Sequence, residues 1–140
     1  MDKFKLLMFV DDDEATNLFH EVVVEESNLC EQQLFFESPK EALKHLEEGN
    51  SDTEFMPPDV IFLDLNMPEL TGWEFLDAYH KDLKADFPIV ILLTTSIRDY
   101  DRERAEKHPK IKKMINKPLT EEKLKEILDL ISASKEPVSG

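Results

Sequence analysis

Apolar and polar positions fall in alternating blocks along this chain. Lys5-Leu6-Leu7-Met8-Phe9-Val10 is an apolar run of strand length that ends abruptly in Asp11-Asp12-Asp13-Glu14. Ala15 to Ser27 carries Leu18, Phe19, Val22 and Val23 at i, i+1, i+4 and i+5, which predicts a helix burying that face and stopping at Asn28. Leu34-Phe35-Phe36, inside Glu31 to Glu37, predicts a second strand. Ser38-Pro39-Lys40-Glu41 reads as a helix start, with Ser38 as N-cap, Pro39 at the first helical position and Glu41 three after the cap. Ala42, Leu43 and Leu46 form its apolar face, and Gly49 closes it. After a polar loop over residues 50–57, Val60 to Leu65 predicts a third strand, apolar at successive positions as suits burial on both faces.

Thr71-Gly72 precedes a helix carrying Trp73, Phe75, Leu76 and Tyr79, and Asp86-Phe87-Pro88 punctuates. Ile89 to Leu93 is a fourth apolar strand, ending in Thr94-Thr95-Ser96. Asp99 to Lys107 predicts a short, highly charged helix with little apolar face, stopped by His108-Pro109. Ile111 to Ile115 is a weaker fifth strand before Asn116-Lys117-Pro118. Thr120 opens a last helix with Leu124, Ile127, Leu128 and Ile131 on one face, and Ser132 to Gly140 lacks periodicity, as a frayed tail does.

Strand and helix therefore alternate five times, which implies an α/β fold with a parallel sheet covered on both faces. The expected organisation is one domain over residues 1–133 and a short flexible tail over 134–140, with no internal repeat. A length of 140 residues, 41% of them hydrophobic, suits one sizeable core. No apolar run approaches the roughly 20 residues of a membrane span, and Met1-Asp2-Lys3-Phe4 lacks a signal-peptide layout, so a cytoplasmic protein is expected. The single cysteine, Cys30, excludes an internal disulfide and offers no zinc spacing; it reads as a small, half-buried apolar residue. A formal net charge of −14 repels phosphate backbones, so binding to nucleic acid is not expected.

The chemistry collects at the strand ends. In an open α/β sheet, ligand sites form outside the carboxyl ends of the strands. Four strands end in chemically able residues: Asp11-Asp12 after the first, Asp64 after the third, Thr94 after the fourth and Lys117 after the fifth. Asn66 and Pro68 end the third strand, because proline has no donor for the ladder. Converging carboxylates repel unless a cation sits among them, and all-oxygen donors favour Mg2+. Mg2+, lysine and threonine around one carboxylate outline a phosphoryl-transfer site in which Asp64 attacks. Each residue alone has a plainer reading: a solvated acidic loop, a surface lysine, a turn threonine. Trp73 reads as a packing residue, Tyr100 as exposed or as a partner contact. His20, His45, His80 and His108 have no metal spacing and receive no role.

Taken together, Val10-Asp11-Asp12, Asp64-Leu65-Asn66-Met67-Pro68, Gly72, Leu93-Thr94 and Asn116-Lys117-Pro118 make the chain resemble the receiver domain of a two-component response regulator, of the stand-alone single-domain type, over residues 4 to 133. The resemblance implies a flavodoxin-like doubly wound (βα)5 fold with strand order 2-1-3-4-5. It implies that Asp64 accepts a phosphoryl group from a sensor histidine kinase or a histidine phosphotransfer protein. It further implies that Asp12, Asp64 and the backbone carbonyl of Asn66 bind Mg2+ directly, with Asp11 acting largely through water. Thr94 would bind a phosphoryl oxygen and Lys117 would contact the acyl phosphate. Such a domain is a signalling switch rather than an enzyme, although it can catalyse its own phosphorylation and dephosphorylation, and it signals through protein–protein contacts.

The sequence departs from the family pattern at Met114, where an aromatic usually stands, and in Lys107-His108-Pro109-Lys110, where a glycine often does. Two other readings compete. A phosphatase of the haloacid-dehalogenase type also uses an aspartate after a strand, but it needs a second aspartate two residues on, and Asn66 cannot transfer a proton. A degenerate receiver that only binds partners conflicts with the complete set Asp11, Asp12, Asp64, Thr94 and Lys117.

Overall fold

The computed structural model of the chain describes residues 2–49, 55–79, 88–95 and 97–135. Most of the loop expected over 50–57, together with His80, Asp86-Phe87, Ser96 and the tail from residue 136, lies outside the described residues. The elements run β1 (Phe4–Val10), α1 (Glu14–Ser27), β2 (Cys30–Phe36), α2 (Pro39–Gly49), β3 (Val60–Leu63), α3 (Gly72–Tyr79), β4 (Ile89–Thr94), α4 (Asp99–Lys107), β5 (Ile111–Asn116) and α5 (Glu121–Lys135). The strands form one five-stranded sheet in the order β2-β1-β3-β4-β5, every neighbouring pair parallel. This is the parallel sheet that the alternating pattern implies, in the flavodoxin-like order that the resemblance implies.

Side chains alternate across a strand, so the sheet feeds two cores. Leu7, Phe9, Val60, Phe62, Ile91 and Leu93 point to one face, where Leu124, Ile127, Leu128 and Ile131 of α5 cover them. Met8, Val10, Ile61, Leu63, Val90 and Leu92 point to the other, under Leu43 and Leu46 of α2 and Phe75 and Leu76 of α3. Fully burying one such side chain is worth roughly 1.5–3 kcal/mol, which is why the central strands read as unbroken apolar runs.

The local start and stop signals work as expected. Ser38 Oγ accepts the Glu41 amide at 3.2 Å, and Asn28 ends α1 in the left-handed conformation with φ 56. Thr71 and Glu74 form a reciprocal cap at α3: the Glu74 amide donates to Thr71 Oγ1 at 3.1 Å and the Thr71 amide to Glu74 Oε1 at 3.0 Å. Cys30 is half-buried, and that burial pushes its thiol up to about 11.

Three expectations need correction. The apolar stripe of α1 does not face the core: Leu18, Phe19 and Val22 are about half exposed, while Asn17, His20, Val24 and Ser27 are buried. β3 ends at Leu63, two residues before the expected Leu65. Asp64 still donates its amide to the Val10 carbonyl at 3.1 Å, but the chain then turns. The unperiodic stretch from Ser132, expected as a frayed tail, is helical as far as Lys135. Serine, alanine and lysine present no helix breaker, and extending an existing helix adds one bond per residue.

α4 buries only Ala105 of its nine residues and is tied to α3 by polar contacts instead. The Trp73 indole N–H donates to Asp101 Oδ1 at 3.0 Å, the Arg104 guanidinium lies 4.4 Å from the centre of the Trp73 ring, and Arg104 pairs with Asp77 at 3.8 Å.

Candidate functional site

Parallel pairing brings the acidic residues together. Val10 and Leu63 are register partners on adjacent strands, so the residues that follow them, Asp11 and Asp64, emerge side by side. Asp11, Asp12 and Asp64 each place a carboxylate oxygen within 4.8 Å of the others. Asp11 and Asp64 are buried and Asp12 is exposed. Burial raises the Asp64 carboxyl above the usual carboxylate range; the Lys117 charge opposes this, and the Asp11 charge adds to it.

Lys117 answers that charge. Its Nζ lies 2.5 Å from Asp11 Oδ2 and 3.5 Å from Asp64 Oδ2, with the lysine side chain only 13% exposed. The backbone fixes its root: Thr94 pairs with Asn116 across β4 and β5, the Lys117 amide donates to the Thr94 carbonyl at 2.8 Å, and the Lys117-Pro118 peptide is cis. Thr94 is fully buried, and its Oγ1 has no hydrogen-bond partner among the described residues. Leaving such a group unsatisfied costs about 1–3 kcal/mol.

Asn66 sits beside Asp64, its amide 3.4 Å from Asp64 Oδ1. Gly72 makes the turn after β3 possible. A Cβ there would meet the Asp64 carbonyl oxygen at 2.7 Å and Leu65 Cα at 2.9 Å, and the Gly72 amide donates to the Leu65 carbonyl at 3.0 Å. Only glycine allows so close an approach of two backbones.

The structure thus brings together every residue singled out for the site: Asp11, Asp12, Asp64, Asn66, Thr94 and Lys117. The donor set suits a hard divalent cation, since it is all carboxylate oxygen, partly withdrawn from water, and one ammonium leaves most of the charge of three carboxylates uncompensated. Two neighbours were invisible in the sequence. Asn17 Nδ2 donates to the Asp11 carbonyl at 2.9 Å, and His20 Nε2 accepts the Leu119 amide at 3.2 Å. The only trace of them is a polar pair at i and i+3 in α1, which has no distinctive spacing.

The profile of the response regulator receiver domain matches residues 7–129. Among solved structures, the chain is similar to a two-component response regulator from Cytophaga hutchinsonii, with 25% identity, a TM-score of 0.85, and coverage of 94% of this chain and 98% of that one. A response regulator receiver protein from Dyadobacter fermentans is 28% identical, with a TM-score of 0.77 over 90% of this chain and 96% of that one. The Vibrio cholerae chemotaxis protein CheY4, at 22% identity and a TM-score of 0.71 over 91% of this chain and 98% of that one, shares the fold. No individually curated protein sequence shows significant similarity to the chain.

Proposed function

Because the chain belongs to the response regulator receiver domain family, we propose that it is a phosphorylation switch, a receiver domain over residues 1–133 with Asp64 as phosphoacceptor. The observation that carries the reading is the pairing of one half-buried lysine with both Asp11 and Asp64, next to a strand end whose buried Thr94 hydroxyl has no partner among the described residues. An incoming phosphoryl oxygen is the group that would satisfy Thr94 Oγ1, and the Lys117 ammonium is placed to balance the charge it brings. In the transfer, an Asp64 oxygen forms a bond to phosphorus as the phosphorus–nitrogen bond of a phosphohistidine donor breaks, its electron pair passing to the imidazole. Asp11, Asp12, Asp64 and the Asn66 carbonyl would hold Mg2+, which when bound supplies the remaining neutralisation of the phosphoryl oxygens.

The donor is a sensor histidine kinase or a histidine phosphotransfer protein. In support, α1 presents Leu18, Phe19 and Val22 to solvent beside an open groove of about 370 Å3 that reaches Lys117. Output passes to another protein through β4, α4 and β5, with Met114 as a passive, half-buried filler against the α2–α3 side of the core. No described helix is long and apolar enough to cross a membrane, in keeping with a cytoplasmic place of action.

Acetyl phosphate with Mg2+ should add one phosphoryl group to the wild type and none to Asp64→Asn, read by mass spectrometry. Equal labelling of both proteins, or labelling without Mg2+, would refute the assignment. Calorimetry separates the roles around it: Asp12→Ala should lose Mg2+ binding severely, whereas Lys117→Ala should keep it or strengthen it by deleting a nearby like charge.

A further inference from the structure

We propose that His20, with Asn17 one turn before it, is a positioning residue for Lys117; the proposal rests on the phosphoacceptor reading only for its kinetic consequence. Both side chains are buried, Asn17 at 6% exposure and His20 at 1%, on one face of α1. Each reaches across to the backbone of a different site loop. Asn17 Nδ2 holds the carbonyl of Asp11 itself at 2.9 Å. His20 Nε2 holds the amide of Leu119 at 3.2 Å, two residues after Lys117. Pro118 has no N–H, so Leu119 carries the first amide after Lys117 that a side chain can grip. α1 therefore spans the acidic loop after β1 and the lysine loop after β5, and fixes their separation.

The ring is well placed for this task. It stacks on Phe9 with centroids 5.7 Å apart and meets the edge of Phe19 at 5.8 Å. Phe9 stands on β1 two residues before Asp11, so the ring is referenced to the strand that delivers the acid. Burial lowers the His20 imidazole to about 4, which leaves Nε2 an acceptor at neutral pH. An aliphatic side chain would fill the same space but leave the Leu119 amide unpaired. Asn17 points the same way: its Oδ1 is buried with no partner among the described residues, a cost that a leucine would avoid, so its worth lies in what its nitrogen holds.

The test compares His20→Leu, which removes the acceptor, with His20→Gln, which keeps one. In the metal-free protein, nuclear magnetic resonance reads the Lys117 ammonium signal and hydrogen exchange at the Leu119 amide. In the protein with Mg2+, the rate of labelling by acetyl phosphate is set beside the Mg2+ affinity. His20→Leu should shift the Lys117 signal, speed Leu119 exchange and slow labelling about 10- to 100-fold, the usual effect of a small misplacement made away from the chemistry, with Mg2+ affinity unchanged. His20→Gln should restore most of the rate. A Lys117 signal that does not move in His20→Leu overturns the proposal, and so do variants equally slow in labelling. If wild type takes no label, the phosphoacceptor reading fails while the Lys117 signal still decides the positioning role. Should His20→Leu not fold, His20→Met takes its place with the same expected and overturning results.

Discussion

α1 and α5 contribute to the same core over one face of the sheet and touch one another, yet they bury opposite kinds of side chain. α5 turns Leu124, Ile127, Leu128 and Ile131 inward, as its apolar period predicts. α1 turns Asn17, His20, Val24 and Ser27 inward and leaves Leu18, Phe19 and Val22 at 56%, 51% and 51% exposure. The difference follows from what each helix covers. The inward side chains of α5 meet only the apolar core, and its polar side-chain contacts with the loop after β5 come from Lys123, which donates to the Asn116 and Pro118 carbonyls at 3.2 Å. The first turns of α1 lie against two irregular loops, whose carbonyls and amides have no sheet partner and need one. Where packing alone is at stake, the apolar stripe sets a helix face; beside a site, the demand of loop backbone for hydrogen bonds overrides it.

The contrast is easiest to break through stability. Ile127→Ala in α5 should cost about 2–5 kcal/mol, whereas Phe19→Ala in α1 should stay within about 0.5 kcal/mol, both by urea unfolding. A loss of several kcal/mol at Phe19 would mean that the outer ridge of α1 is covered in solution.

Next in size is the pH dependence of His20. Its folded-state value, about 4, lies below the unfolded 6.5. Stability is therefore fully present above about pH 6.5 and is lost as pH falls toward 4, by up to about 3 kcal/mol at 1.36 kcal/mol per unit. Asp64 works in the opposite sense: its raised carboxyl makes stability fall as pH rises through its folded-state value. Comparing wild type with His20→Leu removes that common contribution. The gap between their urea midpoints should change in favour of His20→Leu from pH 7.5 to 5. A constant gap would show that the imidazole is not neutral by burial.

α3 also starts on a site loop, and there the demand is for space. Gly72→Ala should destabilise by about 1–3 kcal/mol, because the new methyl meets the Asp64 carbonyl oxygen at 2.7 Å. A neutral result by thermal melting would mean that the loop yields freely. Smallest, and of opposite sign, Asp64→Asn should raise stability at neutral pH by removing a charge that burial disfavours. A loss there would mean that the Lys117 pair outweighs the desolvation.

The legible parts of the molecule share one property: they follow from the backbone. Val60 to Leu63 reads as a strand because both its faces are covered, and residues that follow parallel strands must converge, so Asp11, Asp12, Asp64, Thr94 and Lys117 could be grouped from sequence. What was illegible depends on side-chain reach. Nothing in the spacing of Asn17 and His20 tells of an acidic-loop carbonyl six residues back or an amide 99 residues on. The sequence around Trp73 points to packing alone, and the carboxylate on its indole N–H comes from a helix with no apolar pattern to place it.

Trp73 is the only tryptophan in the chain. Its ring carries a guanidinium on one face and a carboxylate on its N–H, both supplied by α4, while its own helix is rooted at Gly72 against the Asp64 backbone. Charges that close shift and quench indole fluorescence, so the emission of the unlabelled protein is a built-in gauge of where α4 sits relative to α3. A stopped-flow trace at the Trp73 wavelengths, started by mixing the protein with acetyl phosphate and Mg2+, would time any movement of α4 directly.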